Sequence, residues 1–471
     1  MSIPNRFGPI LVAHSYYLRY DEKQVQKMRP YAPLATLIVA ATLRNKGFDV
    51  RFFDAMLSAG GEEFVGALEG IRPAAVAIVE DNFNFLTKMC TLRMREAALD
   101  MIAAAKVRGI PVVVNGSDAT DHTAQYLAAG ADVALIGEPE RSLEDVLVAW
   151  EAGVSDLSGI PGLAIPGAGA DRPVPTSTPP RPYLKDLDAL PFPAWDLVDV
   201  DRYRSAWLKR HGRLSWSVVT SRGCPYRCNW CAKPIFGTRY VQRSPADVAE
   251  EVRLLKQDIA PDHLWFADDI FGLTEHWITS FAEELAARGA QTPFMMQTRA
   301  NLLTPSVVKA LRESGAEEVW IGVESGAQHI LDAMDKGTTV EQVRSATQAL
   351  KSQGIRTGWF LQLGYPGEEW DDILLTRNLV RQERPDDIGV SVAYPMPGTE
   401  FFNIVQEDLG HKRNWVDSGE LAMMFRGTFS TSFYREIRDL LHTEVVAGPS
   451  RDTESRWISL AERALRVRST R

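Results

Sequence analysis

The sequence predicts an α/β protein in three parts. An N-terminal doubly wound parallel sheet comes first, a partial (β/α)6 barrel second, and a small, mostly helical segment last. Three observations carry this. Apolar runs alternate with helical patterns from residue 1 to about 156, as parallel strands covered on both faces require. A second alternating series runs from residue 213 to about 400. Between them, residues 157–212 hold "IPGLAIPGAGADRPVPTSTPPRPY", too rich in Pro and Gly for either pattern. A chain of 471 residues has room for two or three domains, each with its own core.

In the first part, strands are expected at Pro9–Ser15, Phe48–Ala55, Ala74–Glu80, Ile110–Ser117 and Asp132–Glu140. Leu34–Gly47 reads as a helix that Gly47 ends. Sheets of this kind bind ligands outside the carboxyl ends of their strands, so "VEDNFNF", "NGSDAT" and "IGEPE" should line one rim. Asn82, Phe83 and Phe85 fall at one such end, and core packing is the expected role of the two aromatics. Residues 157–212 read as a linker or a small surface hairpin. "LPFPAWDLV" is apolar enough to pack on a neighbour. The second part offers six strands: Leu214–Thr220, His263–Ala267, Pro293–Thr298, Glu318–Val323, Arg356–Leu363 and Ile388–Tyr394. One intervening helix is fully signposted: Ser244 as N-cap, Pro245 next, and Val248, Val252, Leu255 and Ile259 on one face. Residues 401–471 read as helical, with a basic tail expected to fray.

The totals exclude several classes. A formal net charge of -9 disfavours a nucleic-acid partner. No stretch of about 18 apolar residues marks a membrane span, and "MSIPNRFGPILVAHSYYLRY" lacks the layout of a secretory signal. Only four cysteines, three of them clustered, argue against a disulfide framework, and a cytoplasmic location is the expectation.

Three of those cysteines occur in "SRGCPYRCNWC", spaced Cys224-x3-Cys228-x2-Cys231 after a predicted strand. Four readings compete. Zinc wants four ligands, so Cys90 or a histidine such as His211 would have to complete the set. Buried structural cysteines rarely come three together. A redox pair would show C-x2-C alone. An iron–sulfur cluster is the fourth reading.

The spacing resembles that of radical S-adenosylmethionine (SAM) enzymes, whose cysteine loop follows the first barrel strand and carries an aromatic residue, here Trp230, before the third cysteine. Further stretches from Leu214 to about Phe402 are similar to that family. "LWFADDIFG" resembles the second-strand motif, with Asp268 and Asp269 where many members have glycine and glutamate. "EEVWIGVESGAQHIL" resembles the fourth-strand segment and "FLQLGYPGEEWDD" the fifth. The resemblance implies a [4Fe-4S] cluster on Cys224, Cys228 and Cys231, with one iron open to SAM. It implies SAM contacts from Trp230, Asp268, Asp269, Arg299, Glu324 and Ser325. Read without it, Asp268 or Asp269 is a helix cap, Glu324 a strand-end charge and Arg299 a surface ion pair.

The first part resembles the cobalamin-binding domain that precedes the barrel in one radical SAM subfamily. "NGSDAT" and "GEPE" echo that subfamily's segments, and Ser117, Thr120 and Gly137 are the implied cobalamin contacts. His122 does not fit the Asp-x-His-x-x-Gly motif that supplies a cobalt ligand from below. The implied activity is cobalamin-dependent methylation of an unactivated carbon in a small-molecule or natural-product substrate. One SAM would give the methyl group and a second the 5′-deoxyadenosyl radical. An electron donor such as flavodoxin or ferredoxin is implied. A radical cyclase, oxidase or rearrangement enzyme is the alternative. RNA methylthiolation would want more cluster cysteines and a basic appendage, and a non-enzymatic sensor would leave the SAM motifs unexplained.

Overall fold

The computed structural model describes residues 8–89, 91–167 and 174–469. Cys90 lies outside them. The first sheet has seven strands: β1 (Ile10–Ala13), β2 (Val50–Phe53), β3 (Ala75–Val79), β4 (Val112–Asn115), β5 (Val133–Leu135), β6 (Leu163–Ile165) and β7 (Thr176–Ser177). Their order is β2-β1-β3-β4-β5-β6-β7. The first five are parallel, and the last two join antiparallel. β1, β3 and β4 are buried along their whole lengths, whereas edge strand β2 exposes Arg51 and part of Phe52. That difference follows from having one neighbour rather than two. The strand order reverses between β1 and β3, which places the ligand crevice of such a sheet at their carboxyl ends. Gly47, at φ +92°, stops the helix Leu34–Asn45 as its position in the sequence demands.

Of the two readings of the Pro/Gly-rich stretch, linker or small hairpin, the structure has the hairpin. Its hairpin, β6 and β7, extends the first sheet. The helix Val200–His211 then lies across the first domain, with Tyr203 Oη donating to Asp54 Oδ2 at 2.7 Å and Trp207 Nε1 to the Pro30 carbonyl at 2.8 Å. Ala194, in the apolar stretch before it, donates its N–H to the Leu37 carbonyl at 3.2 Å.

The second sheet is all parallel. β8 (Ser215–Val218) opens it. A short antiparallel pair, β9 (Ser221–Arg222) and β10 (Val241–Gln242), follows. Then come β11 (His263–Phe266), β12 (Phe294–Thr298), β13 (Ala316–Glu324), β14 (Arg356–Leu363) and β15 (Asp387–Val392). The order β15-β14-β13-β12-β11-β8 leaves the barrel open, with β8 and β15 as its edges. Six strands expected from the sequence are thus six strands observed. The signposted helix forms over Pro245–Asp258, with Ser244 Oγ accepting from the Asp247 N–H at 3.1 Å.

The two sheets share apolar cores. Tyr16, Tyr31, Leu37 and Met56 belong to the same cluster as Trp216, Leu264 and Phe266. A second cluster joins Leu34, Ile38 and Phe83 to Val219, Ile235 and Phe236. Burial of each large apolar side chain contributes roughly 1.5–3 kcal/mol. The C-terminal segment closes the arrangement. The Leu92 N–H donates to the Trp415 carbonyl at 2.8 Å, and Ser418 Oγ donates to Asp21 at 2.9 Å. The last helices, Thr431–Ala447 and Arg451–Ser469, hold buried Glu444 against Arg377 and Arg381. The tail expected to fray is helical up to Ser469, anchored by buried Leu460 and Ala464. Among the described residues no helix is long and apolar enough to cross a membrane.

Candidate active site at the facing strand ends

The cysteine loop hangs between β9 and β10. Gly223 starts it at φ +77°, and a Cβ there would lie 2.0 Å from the Arg239 carbonyl, so only glycine fits. Lys233 Nζ donates to the carbonyls of Cys224 and Tyr226, drawing the loop into a tight coil. Asn229 anchors it to the barrel. Its amide Nδ2 donates to the Ala333 carbonyl at 2.8 Å, and its Oδ1 accepts from Tyr365 Oη at 3.0 Å. Its backbone N–H donates to the Met334 carbonyl at 3.1 Å. Nothing in the sequence marks Asn229 for this work except its place between the cysteines.

Cys224, Cys228 and Cys231 are free thiols, each partly buried. Burial raises the Cys224 thiol and pushes that of Cys231 up to about 12. Bound metal charge offsets such a penalty, so buried thiols gathered in one loop fit a cluster better than a solvent-facing role. Among the described residues no three His, Cys, Asp or Glu side chains are placed to hold a single metal ion. Each cysteine of a four-iron cluster binds a different iron, so convergence on one point is not required. His211, the candidate fourth zinc ligand, instead caps carbonyls at Lys27 and Met28, 3.1 and 2.9 Å from its Nε2.

Several residues expected to meet SAM form one contiguous group around this loop. Arg299 Nη1 lies 3.4 Å from Cys228 Sγ, and its Nη2 donates to the Lys336 carbonyl. Lys336 Nζ is 2.6 Å from Glu324 Oε1 and 5.9 Å from the centre of the Trp230 ring. The Trp230 Nε1–H is buried and has no partner. Glu324 adopts φ +62° at the irregular end of β13, a strained position for a side chain of its size. Beneath the pair, a Cβ on Gly322 would meet Lys336 Nζ at 2.6 Å, so glycine makes the room. Ser325 is fully buried, its Oγ accepting from the Ala327 N–H at 3.2 Å.

The two aspartates after β11 part company. Asp268 is fully buried and accepts from the Thr220 N–H at 3.0 Å, Thr220 Oγ1 at 2.8 Å and Ser221 Oγ at 2.5 Å. Burial raises its carboxyl to about 6 in spite of these donors. It ties β11 to the start of the cysteine loop. Asp269 is partly exposed and pairs with Lys88 of the first domain.

On the opposite rim, Ser15 donates both its N–H and its hydroxyl to buried Glu80, bridging β1 and β3. Asn82 Nδ2 donates to Asn115 Oδ1 at 2.9 Å, and Asn115 Nδ2 to the Gly137 carbonyl at 3.0 Å. Asn82 Oδ1 is buried without a partner. Gly116 and Gly137 keep the turns after β4 and β5 bare; a Cβ on Gly116 would meet Glu80 at 2.8 Å. Ser117 opens the short helix Ser117–Asp121, and Thr120 Oγ1 donates back to the Gly116 carbonyl at 2.9 Å. His14 lies at this rim, but its Nε2 is held 3.0 Å from Asp54 and 3.1 Å from the Ala55 N–H. The orphaned amide and bare turns fit a B12-type ligand held by amide and backbone groups rather than by an imidazole. Phe83 stacks on Phe236 at 4.9 Å, whereas Phe85 is 48% exposed and is not a core residue.

Arg222 joins the rims. It is buried between Phe83 and Phe236, and pairs with Glu138 at 2.7 Å and Glu140 at 2.5 Å. Glu138 also accepts from the Leu184 N–H at 2.7 Å. The "GEPE" turn of the first domain is thus clamped to the residue two places before Cys224.

Comparison with known proteins agrees with this geometry. Residues 218–380 match the radical SAM superfamily, and residues 29–147 match the B12 binding domain. An uncharacterized methyltransferase of Pyrococcus horikoshii is 29% identical over 286 residues, 60% of this chain and 60% of that protein. The anaerobic magnesium-protoporphyrin IX monomethyl ester cyclase of Rubrivivax gelatinosus is 26% identical over 389 residues, 81% of this chain and 67% of that one. The chain thus spans about three fifths to two thirds of these relatives' lengths. The structure of TsrM from Kitasatospora setae, a radical SAM methyltransferase with cobalamin and a [4Fe-4S] cluster bound, superposes with a TM-score of 0.69. The match covers 85% of this chain and 74% of that one at 19% identity, and shows the shared fold. The chain thus carries a radical SAM domain that follows a B12 binding domain.

Proposed function

We propose that this protein is a cobalamin-dependent radical SAM enzyme that methylates an unactivated carbon of a small molecule. The observation that carries the reading is the Arg222 clamp, which holds the B12-side rim and the cysteine loop against each other. Methyl transfer needs its reacting atoms near contact, so two cofactor sites must be fixed in register. When bound, the cluster, SAM and cobalamin supply a 5′-deoxyadenosyl radical and a transferable methyl group.

The chain's own residues would do the rest. Cys224, Cys228 and Cys231 hold the cluster. Asp269 is the partly exposed carboxylate available to the SAM ammonium group, while Asp268 fixes the strand end that presents it. Lys336 holds Glu324 in place beside Trp230. Ser117, Thr120 and Gly137 lie at the ends of β4 and β5, on the rim that would receive the corrinoid. The segment around Trp415 and Ser418 is hydrogen-bonded to the first domain. A one-electron donor such as flavodoxin or ferredoxin and a cytoplasmic setting belong to the same reading. So does a partner list without nucleic acid, given a net charge of -9.

The test is an anaerobic incubation of the cofactor-loaded protein with SAM carrying a deuterated methyl group and a reductant, in the presence of candidate acceptors. Methyl transfer produces S-adenosylhomocysteine, 5′-deoxyadenosine and a labelled product. 5′-Deoxyadenosine without S-adenosylhomocysteine or label contradicts methylation. It favours the cyclase-type chemistry named for the Rubrivivax relative.

A further inference from the structure

Arg299 ends β12 with its guanidinium buried, at 6% exposure. Its Nη1 donates to Cys228 Sγ at 3.4 Å. A guanidinium has no lone pair, so the sulfur is the acceptor. The guanidinium carbon lies over the Tyr226 ring, 3.8 Å from its centre. Its Nε donates to Asn301 Oδ1 at 3.2 Å, and Asn301 Nδ2 reaches the Tyr226 hydroxyl at 3.5 Å. Its Nη2 donates to the Lys336 carbonyl. Each of these partners is a sulfur, a neutral oxygen or a ring. None is a carboxylate, and two of them, Cys228 and Tyr226, belong to the cysteine loop. The family resemblance implies a SAM contact for Arg299; in this structure its Nη1 reaches Cys228 Sγ.

We infer that Arg299 is a tuning and positioning residue for the iron–sulfur cluster, and that its fixed charge on the Cys228 sulfur raises the cluster's reduction potential. The inference rests on the cluster reading above. Reduction adds one negative charge to the cluster. A buried cation at hydrogen-bond distance from a ligand sulfur favours that state, because net charge, hydrogen bonds to sulfur and solvent exposure set cluster potentials. Low local dielectric strengthens the interaction. Tyr226 and Asn301 keep the guanidinium from swinging away when SAM arrives.

The experiment is an anaerobic redox titration of reconstituted full-length protein, without SAM, read by electron paramagnetic resonance and iron content. The variants are Arg299→Met and Arg299→Gln. At a fixed potential the neutral variants should show a reduced-to-oxidised ratio at least tenfold below wild type. For a one-electron couple that is a shift of about 59 mV to more negative potential. Gln keeps an N–H donor and loses only the charge, so it decides the matter if Met fails to load iron. A wild-type ratio in whichever variant holds a full cluster overturns the inference. So does loss of iron from both variants, which would make Arg299 purely structural. So does a weaker SAM affinity, read in a separate calorimetric titration of the same variants, with the potential unmoved, which would return Arg299 to SAM binding. Wild-type protein that takes up no iron would instead contradict the cluster reading itself, before any variant is made.

Discussion

Arg222 and Glu138 lie on opposite sides of the boundary between the first sheet and the barrel, with Nη1 and Oε1 2.7 Å apart. Glu140 completes the clamp on the second guanidinium nitrogen. All three side chains are buried, with 8% exposure or less. Removing the cation strands two carboxylates in a dry interface. Arg222→Met should cost roughly 3–5 kcal/mol, the usual penalty for one partner of a buried pair. The triple variant with Glu138→Gln and Glu140→Gln should recover most of it. Urea denaturation measures both. Equal stability of wild type and Arg222→Met would show that the clamp carries no load.

Asp268 and Asp269 are neighbours in sequence with separable work. Asp268→Ala orphans the Thr220 and Ser221 donors in the interior. It should destabilise the fold by about 2–4 kcal/mol. Asp269→Ala breaks a pair with Lys88 whose side chains are 23% and 20% exposed, and should cost less than Asp268→Ala, about 1 kcal/mol. Calorimetric titration of cluster-loaded Asp269→Ala should nonetheless show SAM binding at least tenfold weaker. Unchanged affinity would remove Asp269 from the SAM site.

Glu368 is fully buried after β14, where its Oε2 accepts from the Gly364 N–H at 2.6 Å and Oε1 has no partner. Burial raises its carboxyl from 4.5 to about 8, against the Gly364 N–H, and nearby Asp372 adds to the rise. The folded state therefore holds a proton that the unfolded chain releases. The stability this group contributes is greatest at or below about pH 4.5 and falls as pH rises toward 8. Each tenfold difference in proton affinity between the two states corresponds to about 1.4 kcal/mol. Glu368→Gln removes the titration. Its melting temperature should match wild type near pH 5 and exceed it at pH 8.5. Parallel pH profiles for the two proteins would contradict the assignment.

The parts of the fold that could be read in advance were those where local pattern and burial agree. Continuous apolar runs such as "AAVAIVE" and "PILVAHS" became central strands because a parallel sheet buries both faces. β7 was invisible as a strand, since Thr176 and Ser177 are exposed and polar and are held only by pairing with β6. The cysteine loop was legible from its spacing. Its supports were not. Arg222 finds its carboxylates 82 and 84 residues away. Lys336 sits in "MDKGTT", with nothing to mark it until β13 brings Glu324 within 2.6 Å. Asp268 and Asp269 look equivalent in sequence. Only tertiary packing turns one inward to Thr220 and leaves the other at the surface. Arg299 was recognisable as a strand-end cation, but its neighbour across the barrel, Cys228, is 71 residues away.

The most direct test is to purify the protein anaerobically from cells supplied with cobalamin, and to count iron and corrinoid per chain for wild type and Cys228→Ala. The expected content is one corrinoid and about four irons per wild-type chain, that of a single cubane cluster. Cys228→Ala should lose the iron and SAM cleavage but keep the corrinoid, because Ser117, Thr120 and Gly137 belong to the first sheet and not to the cysteine loop. Iron without corrinoid in the wild type would contradict the proposed function, leaving the first sheet a scaffold and hydrogen abstraction without methyl transfer.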